Sequence, residues 1–139
     1  MFGEVANGIG GNPVKRDPRS DCYDGGVIPR TNFTAARTYL LGLSWQTAGT
    51  LNWNWRGYPW REGSIWRNGM NTLLPPNSAC WRPSSGEWWE LVTPVSSYHT
   101  GGANVAMADG SIRFVTDNVN PDLWLAAGSR NGGETGNLP

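Results

Sequence analysis

The dipeptide Asp109-Gly110 constrains the fold of this chain more than any other feature of its sequence. Asp-Gly is favoured in the two-residue type I′ turn of a β-hairpin, where both central residues need φ > 0. Such a turn would place Val105 opposite Phe114 and Met107 opposite Ile112, and opposite residues share one face of a sheet. The other face would carry small or polar side chains: Ala106, Ala108, Ser111 and Arg113. The pattern therefore predicts a half-buried hairpin whose apolar face packs on a core.

Composition favours a β-rich domain with many loops over a helical bundle. The 139 residues include 19 Gly, 10 Pro and 9 Trp, and only 16% are charged. Gly and Pro supply turn geometry, and a chain of this length can bury one core. We therefore expect a single α+β domain over residues 1–139, with an antiparallel sheet and long loops rich in Trp, Gly and Pro. The formal net charge of 0 argues against nucleic acid or an anionic membrane surface as an electrostatic partner.

Several segments outside the hairpin carry weaker patterns. Residues 1–30 are rich in Gly, Pro and Asp, and they predict loops with at most a short strand. Residues 31–43 fit either a helix capped by a threonine or a strand preceded by a loop, and we favour the strand. Residues 51–58 alternate polar and aromatic side chains, and residues 88–95 are mainly apolar, so both segments predict strands.

Two further segments have clear boundary signals. In residues 73–78 the pair Pro75-Pro76 excludes a central strand, because proline lacks the N–H of the ladder, and Asn77 is placed to tie backbone groups together. Residues 120–128 predict a short C-terminal helix. Asn120 would be its N-cap, with a proline at the first helical position and a glycine at the end.

The single histidine, His99, is the first candidate for chemistry. A histidine oriented by a carboxylate such as Asp109, with Ser96 or Ser97 as nucleophile, is the arrangement of many hydrolases. No G-x-S-x-G motif is present, and Asp109 lies at a turn, where aspartate is favoured for conformational reasons alone. We therefore favour a hydrogen-bonded structural role for His99, with metal binding and hydrolysis as alternatives.

Carboxylates near the hairpin offer a weak calcium site. Four carboxylates occur in this part of the sequence: Asp109, Asp117, Asp122 and Glu134. Ca²⁺ takes several oxygen ligands from flexible loops, so two of these carboxylates with backbone oxygens would form a minimal site. A second candidate is residues 21–26, where Asp21 and Asp24 precede a glycine pair without matching an EF-hand loop. Solvated carboxylates are the favoured interpretation, so we expect no cofactor, with calcium as the alternative.

The nine tryptophans raise the alternative of a carbohydrate-binding module. Exposed indoles can stack on the apolar faces of sugar rings, and Trp53, Trp55 and Trp60 are the candidates for such a platform. Tryptophan is buried on average, and the chain has few other large apolar residues. A role in the core is therefore the favoured interpretation.

The hairpin and its flanks also carry a family resemblance. His99 is followed by nine residues and then Asp109-Gly110, in the stretch HTGGANVAMADG that continues as SIRFV. Further matching segments lie on both sides: residues 60–63 (WREG), 71–80 (NTLLPPNSAC), 122–124 (DLW) and 128–134 (GSRNGGE). Residues 45–134 resemble the H-x9-DG (prepilin-type processing-associated) domain of bacterial prepilin-like proteins, which are similar to the G-type pseudopilins of type II secretion. The motif positions with an implied structural role are His99, Gly101, Gly102, Asn104, Asp109, Gly110, Arg113 and Phe114.

The resemblance implies a non-enzymatic, pilin-like globular head in the periplasm or at the cell surface, whose partners are other pilin-like subunits or surface proteins. In such a protein Cys22 and Cys80 would form a disulfide, whereas in a cytosolic protein both would be small buried side chains. We favour the disulfide.

The basic leader and long N-terminal helix of prepilin-type proteins are not recognisable in the sequence, which shows no membrane span. We therefore expect a fragment, a truncated chain or a divergent soluble member. Because that helix would cover one face of the sheet, an apolar strip should stay exposed beside the hairpin.

Overall fold

The computed structural model describes residues 1–7, 16–49, 56–57, 61–65, 67–84, 90–129 and 138. Within these residues the regular elements are β1 (Phe2–Gly3), β2 (Cys22–Asp24), α1 (Phe33–Leu41), β3 (Cys80–Arg82), β4 (Gly102–Ala106), β5 (Ile112–Thr116) and α2 (Pro121–Ala127). An antiparallel sheet has the strand order β1-β4-β5, and β2 and β3 form a separate parallel pair. The predicted α+β class, with an antiparallel sheet and a short C-terminal helix, is confirmed.

The hairpin of β4 and β5 forms at the predicted place, but its turn has three residues instead of two. The N–H of Met107 donates to the carbonyl of Ser111 at 2.8 Å, and the N–H of Gly110 donates to the carbonyl of Met107 at 3.1 Å. Gly110 has φ of 84°, whereas Asp109 is not among the described residues with positive φ. A turn whose last residue alone is left-handed is the common three-residue hairpin loop, so the predicted type I′ turn is wrong.

The longer turn shifts the register of the hairpin by one residue. Phe114 lies opposite Asn104 and Ile112 lies opposite Ala106, so the predicted pairs of Val105 with Phe114 and Met107 with Ile112 are wrong. The other two predicted pairs, Ala106 with Arg113 and Ala108 with Ser111, are wrong for the same reason. Because side chains alternate along a strand, a one-residue shift moves every side chain of β5 to the opposite face.

As a result, different apolar residues of the hairpin face the core. Ala103 and Val105 of β4 and Val115 of β5 are fully buried, whereas Ile112 is 73% exposed and Phe114 is 44% exposed. The inward residues join a core cluster with Val95, Val119, Trp124 and Leu138. The sheet therefore packs its inner face through small side chains and leaves its largest apolar side chains on the outer face.

A second core cluster surrounds the parallel pair of β2 and β3. Tyr23 and Trp81 pack there with Leu40 of α1, together with Leu74, Ala79 and Val92. The indole N–H of Trp124 donates to the carbonyl of Leu74 at 2.9 Å, which links the two clusters. Trp81 and Trp124 are thus core residues, as favoured from composition. The candidate stacking residues Trp53, Trp55 and Trp60 lie outside the described residues.

The predicted disulfide between Cys22 and Cys80 is confirmed. The two residues lie directly opposite each other in the β2–β3 pair, and their Cα atoms are 4.4 Å apart. A bond between residues 58 positions apart stabilises the fold by about 4 kcal/mol in the chain-entropy model. It ties together two strands that are far apart in the sequence.

Helix α2 has the predicted signals, and α1 corrects a prediction. The Asn120 side chain accepts hydrogen bonds from the N–H groups of Asp122 and Leu123, as expected of an N-cap. Residues 31–43, for which a strand was favoured, contain a helix, because the Asn32 side chain caps it by accepting from the Ala35 N–H at 2.7 Å.

The remaining strand predictions have mixed outcomes. Residues 51–55, 58 and 88–89 lie outside the described part of the chain, and residues 91–95 contribute a single bridge between Val92 and Trp81. Residues 73–78 form turns, as the proline pair predicts, and residues 1–30 contain two short strands, β1 and β2. Among the described residues no helix combines the length and the apolar character needed to cross a membrane.

We predict that Gly110→Val destabilises the protein by about 1–3 kcal/mol, because a β-branched residue resists positive φ. No neighbouring atom lies within 4 Å of the added Cβ, so the loss would come from the backbone conformation alone. Gly63→Val is the matched control, since Gly63 has equally open surroundings and no positive φ. Urea denaturation of both variants measures the difference, and equal stabilities would contradict the turn geometry.

Candidate functional site

The loop residue Asn77 organises the open end of the hairpin, opposite its turn. Asn77 is the one described non-glycine residue with positive φ, at 59°, which its short polar side chain tolerates. Its backbone N–H donates to the carbonyl of Val95 at 2.9 Å, and its side-chain oxygen accepts from the N–H of Ser97 at 2.8 Å. Its side-chain nitrogen donates to the carbonyl of Gly102 and to the carboxylate of Asp117. Asn77 thus joins three chain segments, in line with the predicted tying role.

The carboxylate of Glu4 fixes the N-terminal segment to the same end of the sheet. It accepts from the backbone N–H of Asn104 at 2.7 Å and from the side-chain amide of Asn104 at 3.1 Å. Burial acts to raise the pKa of Glu4, but the bonds from Asn104 and Ser97 and the nearby His99 together hold this pKa below its usual range. The charged form of Glu4 is therefore favoured in the folded protein.

His99 lies beside this carboxylate at the rim of the sheet. Its Nε2 is 3.2 Å from the Glu4 carboxylate, and its side chain is 60% exposed. Its backbone N–H donates to the Ser97 hydroxyl at 3.2 Å. The Glu4 carboxylate interacts with both Ser97 and His99. The Ser97 side chain is therefore hydrogen-bonded to a carboxylate and not to the imidazole of a histidine. A serine nucleophile needs a base next to its hydroxyl, and this arrangement differs from that of a catalytic triad.

The structure does not bring His99 and Asp109 together. His99 precedes β4 at the open end of the hairpin, whereas Asp109 is in the turn at its closed end. The Asp109 carboxylate accepts from the N–H and the hydroxyl of Ser111, and these bonds lower its pKa. The geometry therefore does not support a dyad of His99 and Asp109, and hydrolysis stays an untested alternative.

The other motif residues of the hairpin have identifiable local environments. Gly101 has φ of 79°, and a Cβ at Gly102 would collide with the carbonyl oxygen of Val115 in the neighbouring strand. Arg113 donates to the carbonyl of Leu138 at 2.7 Å, which holds Leu138 next to β5. Phe114 projects from the outer face of the sheet.

The calcium candidates do not meet in one place. Asp109 is in the turn, Asp117 follows β5 at the open end, and Asp122 is in the first turn of α2, where it pairs with Arg37 at 2.5 Å. Glu134 lies outside the described residues. Asp24 ends strand β2, and its side chain accepts from the Gly26 N–H at 2.9 Å, as in a plain turn. The part of the chain that the structure describes contains no group of three or more metal-ligating side chains.

The outer face of the antiparallel sheet carries a row of exposed apolar side chains beside the polar Asn104. Phe2 lies opposite Ala106, which lies opposite Ile112, so the three side chains form a row across all three strands. Phe2 is 81% exposed and Ile112 is 73% exposed, and Phe114 extends the row along β5. We call Phe2, Ala106, Ile112 and Phe114 the outer apolar row. The exposed strip expected beside the hairpin thus lies on the hairpin itself.

Sequence reasoning missed a buried arginine behind the site. The guanidinium of Arg56 is 1% exposed and donates to the carbonyls of Arg19 at 3.1 Å and Pro94 at 2.6 Å. Burial lowers the pKa of Arg56 to about 10. A single arginine among aromatic residues gives no sequence signal for such a role, because its carbonyl partners are set by the tertiary fold. Glu4 was missed for the same reason.

We predict that Asn77→Gly destabilises the protein by about 2–3 kcal/mol, because three side-chain hydrogen bonds are lost while the backbone conformation stays accessible. Asn77→Ala should lose about 1 kcal/mol more, because alanine resists positive φ. Chemical denaturation of the two variants separates the loss of the hydrogen bonds from the cost of the backbone conformation. A glycine variant as stable as the wild type would contradict the tying role of the side chain.

We further predict that the stability difference between the wild type and Glu4→Gln narrows as the pH falls. Since the folded-state pKa of Glu4 is lowered, its stabilisation is complete above the unfolded value of about 4.3 and is lost as the pH falls through the folded value. Thermal melts from about pH 7 to about pH 3 measure this. Glu90→Gln removes a carboxylate that is as exposed as that of Glu4 and is paired with Arg30, so it is the control for charge removal. A stability difference between the wild type and Glu4→Gln that grows as the pH falls would contradict the lowered pKa of Glu4.

Comparison with known proteins places the chain in a family. The model of the family described as "Protein of unknown function (DUF1559)" matches residues 4–122, a range that holds Glu4, Asn77, His99 and the whole hairpin. Neither a curated protein nor a solved structure matches the chain. The similarity to H-x9-DG domains and pseudopilins stays a prediction. Because the matched range covers more than half of the sequence, the chain belongs to the DUF1559 family of proteins of unknown function.

Proposed function

We propose that this chain is a non-enzymatic, pseudopilin-like head that packs on pilin-like subunits in a surface or secretion-associated assembly outside the cytoplasm. The observation that carries the proposal is the outer apolar row, which lies on regular sheet rather than on loops. A flat sheet face with exposed Phe and Ile side chains is suited to burial under an apolar helix or a second sheet.

The free energy available from this surface is large enough for association. Full burial of a Phe or Ile side chain contributes roughly 1.5–3 kcal/mol each, so Phe2, Ile112 and Phe114 together offer several kcal/mol. Association also costs rigid-body entropy, which a single exposed residue does not offset. Three apolar side chains in one continuous row therefore favour a docking role over incidental exposure.

Two further observations support the location and the absence of catalysis. The Cys22–Cys80 disulfide is typical of proteins that mature in an oxidising compartment. At the only histidine, the carboxylate of Glu4 interacts with both His99 and Ser97, which favours a structural network over a nucleophile and its base. A non-catalytic role fits both features.

Site-specific photocrosslinking in the organism that encodes the chain tests the proposal. We predict that a photoreactive phenylalanine analogue at Phe114 crosslinks to a second copy of the chain or to a protein with a prepilin-type apolar helix. Ile112→Glu should abolish the adduct, because it places a charge in the middle of the contact. Ile112 is 73% exposed in the free chain, so this variant should fold normally.

The matched control places the same analogue at Phe33, which is 66% exposed at the start of α1 and away from the sheet. Adducts of equal yield at both positions would show that exposure alone explains the crosslinking. Adducts at Phe114 that persist in Ile112→Glu would contradict the proposal. So would adducts that contain neither a second copy of the chain nor a protein with a prepilin-type apolar helix.

A further inference from the structure

A groove of about 420 Å³ lies at the open end of the hairpin, apart from the outer apolar row. Its volume falls within the range of small-molecule sites, roughly 300–1,000 Å³. The residues that line it include six with polar or aromatic side chains: Arg19, Asn77, Tyr98, His99, Thr100 and Asp117. They come from four separate parts of the sequence, so the groove exists only in the folded chain.

The walls of this groove are held in place by contacts within the protein. The Arg19 guanidinium is bound by the Asp17 carboxylate through two bonds, at 3.1 and 3.3 Å. The same guanidinium lies 4.5 Å from the centre of the Tyr98 ring, which fixes the ring by a cation–π contact. On the opposite side, Asn77 holds the Asp117 carboxylate at 2.8 Å. A site with fixed walls loses little entropy when a ligand binds.

The charges around the groove compensate one another. Asp17 neutralises Arg19, and the exposed imidazole of His99 is paired with the carboxylate of Glu4. Among these charged groups Asp117 is the one whose partner is neutral, since one of its carboxylate oxygens accepts from the Asn77 side-chain amide. The groove therefore lacks the cluster of free cations that recognises a phosphate or a carboxylate ligand.

The remaining chemistry suits a neutral ligand with many hydroxyl groups. Tyr98 is 56% exposed and offers an apolar ring surface next to its own hydroxyl. Thr100 can donate and accept, Asp117 accepts, and Nδ1 of a neutral His99 accepts, because its Nε2–H faces the Glu4 carboxylate. Alternating donors and acceptors beside an aromatic ring match the hydroxyls and the apolar C–H face of a sugar ring.

We propose that this groove binds a single neutral sugar unit, with the Tyr98 ring against the apolar face of the sugar and Asp117, Thr100 and His99 bound to its hydroxyls. The site is distinct from the tryptophan platform expected from the sequence. The proposal does not depend on the assembly role, because none of these side chains belongs to the outer apolar row.

The test is a ¹H–¹⁵N NMR titration of the whole chain with methyl glycosides of glucose, galactose, mannose and N-acetylglucosamine, and with glucuronate as an acidic sugar. For an open groove we expect dissociation constants of about 1–10 mM for at least one neutral sugar. The shifted amides should be those of residues 98–101 and 117.

Variants locate the site. Tyr98→Ala should weaken binding roughly tenfold, because the stacking surface is lost. Asp117→Asn keeps an oxygen for Asn77 but loses the second carboxylate oxygen, so binding should also weaken. Phe33→Ala removes another exposed aromatic ring, one that does not line the groove, and should leave binding unchanged.

Three results would overturn the proposal. The first is the absence of shifts with every neutral sugar up to about 100 mM, well above the expected constants. The second is binding that shifts residues 53–60 and survives Tyr98→Ala, which would assign the sugar to the tryptophan segment. The third is binding of glucuronate alone, which would show that the groove selects charge rather than hydroxyl groups.

Discussion

The register between β4 and β5 is the constraint on which the rest of the described structure depends. With a turn of three residues, Val105 and Val115 point into the core next to Trp124 of α2. A turn of two residues would place Phe114 opposite Val105 and move Val115 to the outside. The buried core and the outer apolar row are therefore two consequences of one pairing. Any change that shifts this register would exchange the two surfaces.

Short strands leave much of the chain without a backbone ladder, so side chains satisfy many of its buried carbonyl groups. Arg56 donates to the carbonyl of Pro94, and the Trp124 indole donates to that of Leu74. The Asn77 side chain pairs with the N–H of Ser97 and the carbonyl of Gly102, in the segment that leads into β4. Buried backbone groups must be paired, and here single polar side chains pair them where regular structure does not. Such bonds also hold the loops around the groove in one arrangement, which a binding site requires.

The spacing between His99 and Asp109 has a geometric explanation. Between them lie the left-handed Gly101, the five residues of β4 and the start of the turn. The motif therefore marks the two ends of one strand: a network around Glu4 at the open end and an Asp-Gly turn at the closed end. A fixed interval between two residues can reflect the length of the element between them, without any contact between their side chains.

Local sequence signals determined the features that depend on neighbouring residues. A turn at Asp-Gly, the capped helix α2 and the irregular Pro-Pro-Asn segment formed at the predicted positions, although the turn has three residues rather than two. Their positions are specified by dihedral preferences and short-range hydrogen bonds. The implied disulfide also formed. Helix α1 was missed because its residues are ambiguous, and its Asn32 cap was not recognised.

Tertiary structure alone decided the register, the pairing of β2 with β3 and the composition of the site. One additional turn residue costs little locally, but it determines which face of β5 is buried, and that choice rests on how well the valines fit the core. Glu4 meets His99, and Arg19 meets Tyr98, only because segments far apart in sequence converge. Contacts between residues far apart in sequence carry no local pattern, since their energy comes from packing and desolvation in the folded chain.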